Sequence, residues 1–246
     1  MPNMLSSLRS PGRGYPSGGL HGQIVHAIGR QIVSGKIRPG DLLPAHLPAS
    51  RTVLREAIKV LVAKGLVESR PRTGTRVRPR GDWNLLDPDV MAWQQEGVAP
   101  AAFLLKLTEV RLIVEPAAAE LAAQRASPTE LEAIDEAYRD MAAALGDDGE
   151  DYEAFDRADI RFHRGIVRAC GNDLLERMSD VVSSALLVSF QATSRLPGRA
   201  NASLPKHRAI LEAIRDHHPR RAGEAMRRLV LSTAREIKTQ TKRVRR

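Results

Sequence analysis

Asp159 and His163 stand four residues apart, and in a helix that spacing puts both side chains on one face, one turn apart. A carboxylate oxygen beside an imidazole nitrogen can grip one divalent cation, and His207, from a later helical stretch, is the natural third ligand. Zinc, nickel and manganese all accept that mix of donors. The same spacing serves an Asp-His hydrogen bond that closes a buried polar spot without any metal. Arg111 lies in a run from Phe103 to Val114 that is apolar nearly all round, the pattern of a buried helix. A guanidinium there needs an anionic partner, because burying it unpaired is costly. That partner is either Glu115 at i+4 or the carboxylate of a ligand held in a bidentate fork. Ser203, four residues before His207, shares its face and can donate to a ligand oxygen; beside Pro205 it serves equally as a helix cap.

A second constellation suits a polyanion. Ser50 stands as an N-cap before a helical pattern in which Leu54, Ile58 and Leu61 form one stripe, ended by Gly65, while Arg51, Thr52, Arg55 and Lys59 occupy the outer face. Two short strands follow, Leu66 to Ser69 and Arg76 to Arg78, around an arginine-rich turn containing Arg72, Thr73, Gly74 and Thr75. A helix, a break, a capped helix with a basic face and a basic hairpin make a winged helix-turn-helix. Arg51, Thr52 and Arg55 then reach phosphates and guanine edges, Ser50 touches phosphate, and the wing rides on the DNA backbone. Charge agrees: residues 1–81 carry 14 Lys/Arg against 3 Asp/Glu, whereas residues 82–234 carry 18 against 25. A basic first third attracts nucleic acid before anionic membrane.

These sites need a mostly α scaffold. Aromatics make up 4% of the chain, which leaves the core to aliphatic residues and favours packed helices. The apolar residues Ile24, Ile28 and Ile32 mark a first helix from His21 to Ser34, stopped by Gly35 and followed by a Pro39-Gly40 turn. Ser127-Pro128-Thr129-Glu130 is a capping box with proline at the first helical position. Loop signals at 146–149, 171–173 and 196–198, with Pro219 before the last helix, give about six helices and an internal cavity as the natural ligand site. The expected organisation is a disordered basic leader over 1–20, a DNA-binding domain over 21–81, a linker over 82–99, a helical effector, metal-binding and dimerisation domain over 100–240, and a basic tail over 241–246. The lone Cys170 rules out an intramolecular disulfide and suits a reducing cytoplasm. No stretch approaches the roughly 18 apolar residues of a membrane span.

The run Ser50-Arg51-Thr52-Val53-Leu54-Arg55-Glu56-Ala57, with Gly65-Leu66-Val67 and Thr73-Gly74-Thr75, resembles the GntR superfamily of regulators. The block Glu109-Val110-Arg111-Leu112-Ile113-Val114-Glu115-Pro116, together with Asp159, His163 and His207-Arg208-Ala209-Ile210, resembles its FadR-like branch with an FCD effector domain. The stretch from Trp83 to Trp93 looks like the linker of galactonate-operon repressors within that branch. The resemblance implies a homodimeric repressor on a palindromic operator, released by a small carboxylic or sugar acid bound near a divalent metal, zinc before nickel or manganese. Many FCD domains carry a further histidine in the final helix where this chain has Leu229, which leaves three protein ligands and open positions for water or effector.

One departure from the family bears on DNA binding. Relatives usually have about a dozen residues between the positions of Pro44 and Ser50, enough for the first helix of the helix-turn-helix. This chain has Ala45-His46-Leu47-Pro48-Ala49, too short and too proline-bound for a stable helix. A truncated turn, a partly exposed apolar stripe nearby and weakened operator binding are expected. Two other functions remain open: a ligand-binding relative of such regulators that no longer grips DNA, and a metal-dependent hydrolase, since an Asp-His-His site can activate water. No general base with a motif of its own accompanies the site, and an enzyme has no need of a basic wing.

Overall fold

The computed structural model describes residues 15–16, 18–44, 50–95, 100–146, 151–177 and 198–244. The segment 45–49, on which the truncated turn was expected, lies outside them. The chain divides into two units, Met1–Pro100 and Ala101–Arg246.

In the first unit, helix α1 (Gly19–Val33) lays Ile24, Val25, Ile28 and Ile32 against Ala57 and Leu61 of helix α2 (Arg51–Ala63). Ser50 caps α2, its Oγ accepting from the Val53 amide at 3.3 Å. Strands β1 (Val67–Arg70) and β2 (Gly74–Val77) pair antiparallel with Val67 opposite Val77 and Arg70 opposite Gly74, so the connecting loop is only three residues long. A single bridge from Leu42 to Arg76 adds a third edge to this hairpin, where the sequence suggested only a turn. Leu54 and Ile58 are half-buried against the core, while Leu42 and Val62 are 52% and 42% exposed.

The 82–99 stretch, expected as a linker, is in its described part folded into this unit. A short 3-10 turn (Arg80–Asp82) leads to helix α3 (Pro88–Gln95), and Trp83, Val90 and Trp93 are buried in the same core as Ile28. Gly29 makes room for Trp93: a Cβ there would lie 2.3 Å from the indole ring, closer than any packed carbon pair allows. Lys64 at the end of α2 is buried between Asp87 at 2.9 Å and Asp89 at 2.5 Å. The leader also ends earlier than expected, since α1 begins at Gly19 and the Tyr15 amide donates to Asp89 at 2.8 Å. Buried tryptophans and an ion-paired anchor, invisible to local periodicity, tie both flanks down.

The regular elements of the second unit among the described residues are helices: α4 (Pro100–Arg125), α5 (Pro128–Ala143), α6 (Tyr152–Ala169), α7 (Arg199–Arg215) and α8 (Pro219–Val244). The Ser127–Glu130 capping box starts α5 as expected. The core joins Ala119, Ala122 and Ala123 of α4 to Ile134 and Met141 of α5, Phe162 and Ile166 of α6, Ile210 and Ile214 of α7, and Met226 and Val230 of α8. Two expectations need correction. α4 is not buried all round, because Ile113 is 75% and Val110 39% exposed; an apolar run shows that a face can be covered, not that this chain covers it. The basic tail continues α8 as far as Val244, its register carried on from the preceding turns. No helix among the described residues is long and apolar enough to cross a membrane.

Candidate functional site

Helix α6 is strongly two-faced. Its inner face buries Phe155, Ala158, Phe162 and Ile166 and, on the same side, Asp156, Asp159 and His163. Helix α7 brings His207 to them on a face shared with Ile210 and Ile214. Asp159, His163 and His207 are all buried, with one donor atom of each within 4.8 Å of the others. Asp159 Oδ1 lies 2.9 Å from His207 Nε2 and 3.2 Å from His163 Nε2. Ligands about 2 Å from a tetrahedral zinc stand roughly 3.3 Å apart, so the cluster is already close to a coordinating arrangement.

Hydrogen bonding fixes which nitrogen faces inward. His207 Nδ1 donates to the Ser203 carbonyl at 3.0 Å, which leaves the Nε2 of a neutral ring as a lone pair pointing at a carboxylate oxygen. Two acceptors in contact require a cation between them, either a proton or a metal. His163 Nδ1 lies 3.0 Å from Glu115 Oε2, an ion-pair contact on the side from which a carboxylate orients a metal-binding imidazole. Burial on its own would strip the proton from His163, but the Glu115 charge and the contacts with Asp159 and Glu115 raise its pKa to about 9. Burial works against the Glu115 carboxylate too, and Arg111 first, then His163, bring its pKa down to about 2. Asp159, despite equal burial, is held well below the usual carboxylate range by His207 and His163.

Arg111 donates from Nε to Glu115 Oε1 at 2.6 Å and from Nη2 to Oε2 at 3.1 Å. Of the two partners expected for Arg111, Glu115 takes these two donors. The role of Glu115 as the link between Arg111 and His163 joins residues 48 apart and has no local signature. Ser203 lines the site, but its hydroxyl donates to the Ala200 carbonyl at 2.8 Å, and it is the backbone carbonyl that positions His207. Arg199, at the start of α7 in a stretch that reads as a Pro-Gly loop, was not singled out by sequence. Its side chain is 12% exposed and paired through Nε with Glu236 of α8. Arg111, Asp159, His163, Arg199, Ser203 and His207 all border one cavity of about 30 Å³, which α8 closes with Leu229, Ser232, Thr233 and Glu236.

In the first unit, Ser50, Arg51, Thr52 and Arg55 are exposed along the first turns of α2. At the wing tip Arg72, Thr73 and Gly74 are exposed and Thr75 half-buried. Arg72 sits at φ 67° and Gly74 at φ 86°, the left-handed values of a tight reversal. Helix end and wing thus present exposed arginines, groups suited to phosphate.

A capped helix with a basic face and a basic hairpin, followed by a separate helical domain, are the parts of a DNA-binding transcriptional regulator. The model of the bacterial regulatory proteins of the gntR family matches residues 20–77, and that of the FCD domain matches residues 106–232. The galactonate operon transcriptional repressor of Escherichia coli is 36% identical over 224 residues, covering 88% of this chain and 96% of that protein. The putative L-lactate dehydrogenase operon regulatory protein of E. coli is 30% identical over 211 residues, covering 79% and 77%. Among solved structures, Lar of Listeria monocytogenes shares the fold with a TM-score of 0.64 at 16% identity, covering 92% of this chain and 99% of that one. The chain belongs to the GntR family of transcriptional regulators and carries an FCD domain. It is a DNA-binding regulator rather than an enzyme, which sets the hydrolase reading aside.

Proposed function

We propose that this regulator is a cytoplasmic, homodimeric repressor of a sugar-acid catabolic operon, freed from a palindromic operator when a small hydroxy-carboxylate binds beside a divalent cation held by Asp159, His163 and His207. The observation that carries this reading is the buried cluster itself, in which His207 Nε2 faces Asp159 Oδ1 at 2.9 Å while Nδ1 is committed to Ser203. When bound, a divalent cation supplies a Lewis-acidic point able to take a carboxylate or hydroxyl oxygen. The chain's own residues do the rest: Glu115 and the Ser203 carbonyl orient the imidazoles, and Arg111 keeps Glu115 ionised. The galactonate repressor among the relatives supports an aldonic acid as the effector class.

The cavity of about 30 Å³ holds one water or ion, whereas sites for small organic ligands run to roughly 300 Å³ and more. An effector of sugar size therefore enters only if the helices around it part, and that displacement is the natural source of coupling to the operator. The exposed Val110 and Ile113 on α4 offer apolar surface to a second copy. Ser50, Arg51, Thr52, Arg55 and the wing residues 72–75 carry the DNA contacts. The short 45–49 segment supports weaker operator binding than relatives achieve. Restoring a helix-length segment and comparing affinities for one palindrome at matched salt tests that point; equal affinities would show the shortening to be harmless.

A thermal-shift screen of aldonic and uronic acids, with and without zinc, tests the effector reading. Aldonic acids should raise the melting temperature, and more so with zinc, because ligands that bind the native state stabilise it by mass action. No shift with any acid would overturn the reading.

A further inference from the structure

We infer that Arg199 is the residue that receives the effector's carboxylate, a role that rests on the reading of the cavity as the effector site. Among the described residues, two arginines line the cavity. Arg111 has already given Nε and Nη2 to Glu115. Arg199 has its Nε tied to Glu236, while its Nη1, shielded from solvent, has no hydrogen-bond partner among the described residues. A guanidinium carries five N–H donors in a rigid fork matched to carboxylate geometry. Burying part of that fork without an acceptor costs free energy that an incoming carboxylate would recover.

Glu236 fixes the Nε edge from α8 and so sets the plane of the fork. The cavity then has two distinct poles. One is the Asp159, His163 and His207 cluster, suited to a cation and through it to hydroxyl oxygens. The other is Arg199, suited to an anion. The ligand class that satisfies both is a polyhydroxylated monocarboxylate, in which the charged end seats on Arg199 and neighbouring hydroxyls face the cluster. The corresponding lactone or alditol lacks the anion and loses the Arg199 contact.

The test is calorimetric titration of the full-length, zinc-loaded protein with galactonate and with galactitol. Arg199→Gln is compared with Arg208→Gln, an exposed arginine on the same helix whose partner is Glu212. Arg199→Gln should weaken galactonate binding by at least about 30-fold, the scale of removing one partner from a buried charge pair. Arg208→Gln should bind galactonate as the wild type does. Zinc titration and circular dichroism of Arg199→Gln show whether the cluster and the fold persist, so that a lost galactonate signal reports the anion contact alone. Galactitol should bind wild type and Arg199→Gln equally weakly. Galactonate binding by Arg199→Gln within threefold of wild type would overturn the assignment while leaving the effector reading intact. A wild-type protein that takes zinc but binds neither galactonate nor any other aldonate would overturn both.

Discussion

Zinc binding should expel the His163 proton, and the size of that effect follows from the geometry. In the metal-free protein His163 is pinned between Glu115 and Asp159, at 3.0 and 3.2 Å, and its pKa is raised to about 9. At pH 7 the ring is therefore mostly protonated, and a metal on Nε2 must displace that proton. Titration of zinc into the apoprotein at pH 7, in buffers of different ionisation enthalpy, should give an observed enthalpy that scales with the buffer term, with a slope of at least one proton. Affinity should rise at least about tenfold per pH unit between 6.5 and 8.5. The same shift governs stability without metal. A group whose pKa is raised on folding stabilises fully below its unfolded value of about 6.5, and that stabilisation fades as pH rises through 9. The metal-free protein should thus be more resistant to urea at pH 6 than at pH 9.5. A buffer-independent enthalpy together with a pH-independent affinity across 6.5 to 8.5 would refute the account of His163 as an imidazolium between two carboxylates.

Other substitutions probe the rest of the structure. Gly29→Ala places a methyl 2.3 Å from the Trp93 ring and should destabilise the first unit by about 1–3 kcal/mol in urea melts; an unchanged or raised midpoint would show that Trp93 yields freely. Lys64→Met leaves Asp87 and Asp89 facing each other without their cation and should cost about 3 kcal/mol by the same assay, with loss under 1 kcal/mol counting against the buried pair. Arg72→Ala removes a wing-tip cation and should weaken binding to specific and random DNA alike, reducing the salt slope by about one; a sequence-selective loss would instead mean that Arg72 reads bases.

Much of the site is legible in the sequence because its signals are local. The i,i+4 spacing of Asp159 and His163, the Ser50 cap and the Ser127–Glu130 box each depend only on helix geometry, and each appears in the structure. The contacts that hold these residues in place are long-range and leave no such trace. Glu115 meets His163 across two helices, Arg199 meets Glu236 of α8, and Tyr15 meets Asp89 74 residues away. The Trp83 to Trp93 stretch reads as a linker because its charged and proline residues interrupt the apolar pattern, yet its two indoles are core residues. Ile113 shows the opposite failure, an apolar residue on a mostly covered helix that this chain leaves exposed.

The central claim is that an acid bound at the Asp159, His163 and His207 cluster releases DNA. It is tested most directly by fluorescence anisotropy of an operator palindrome selected from random duplexes by this protein, titrated with galactonate in the presence of zinc. The wild type should release the duplex as galactonate saturates, and Asp159→Ala/His163→Ala should bind the same duplex and hold it at every galactonate concentration. Release by the double variant at the wild-type midpoint would contradict the account.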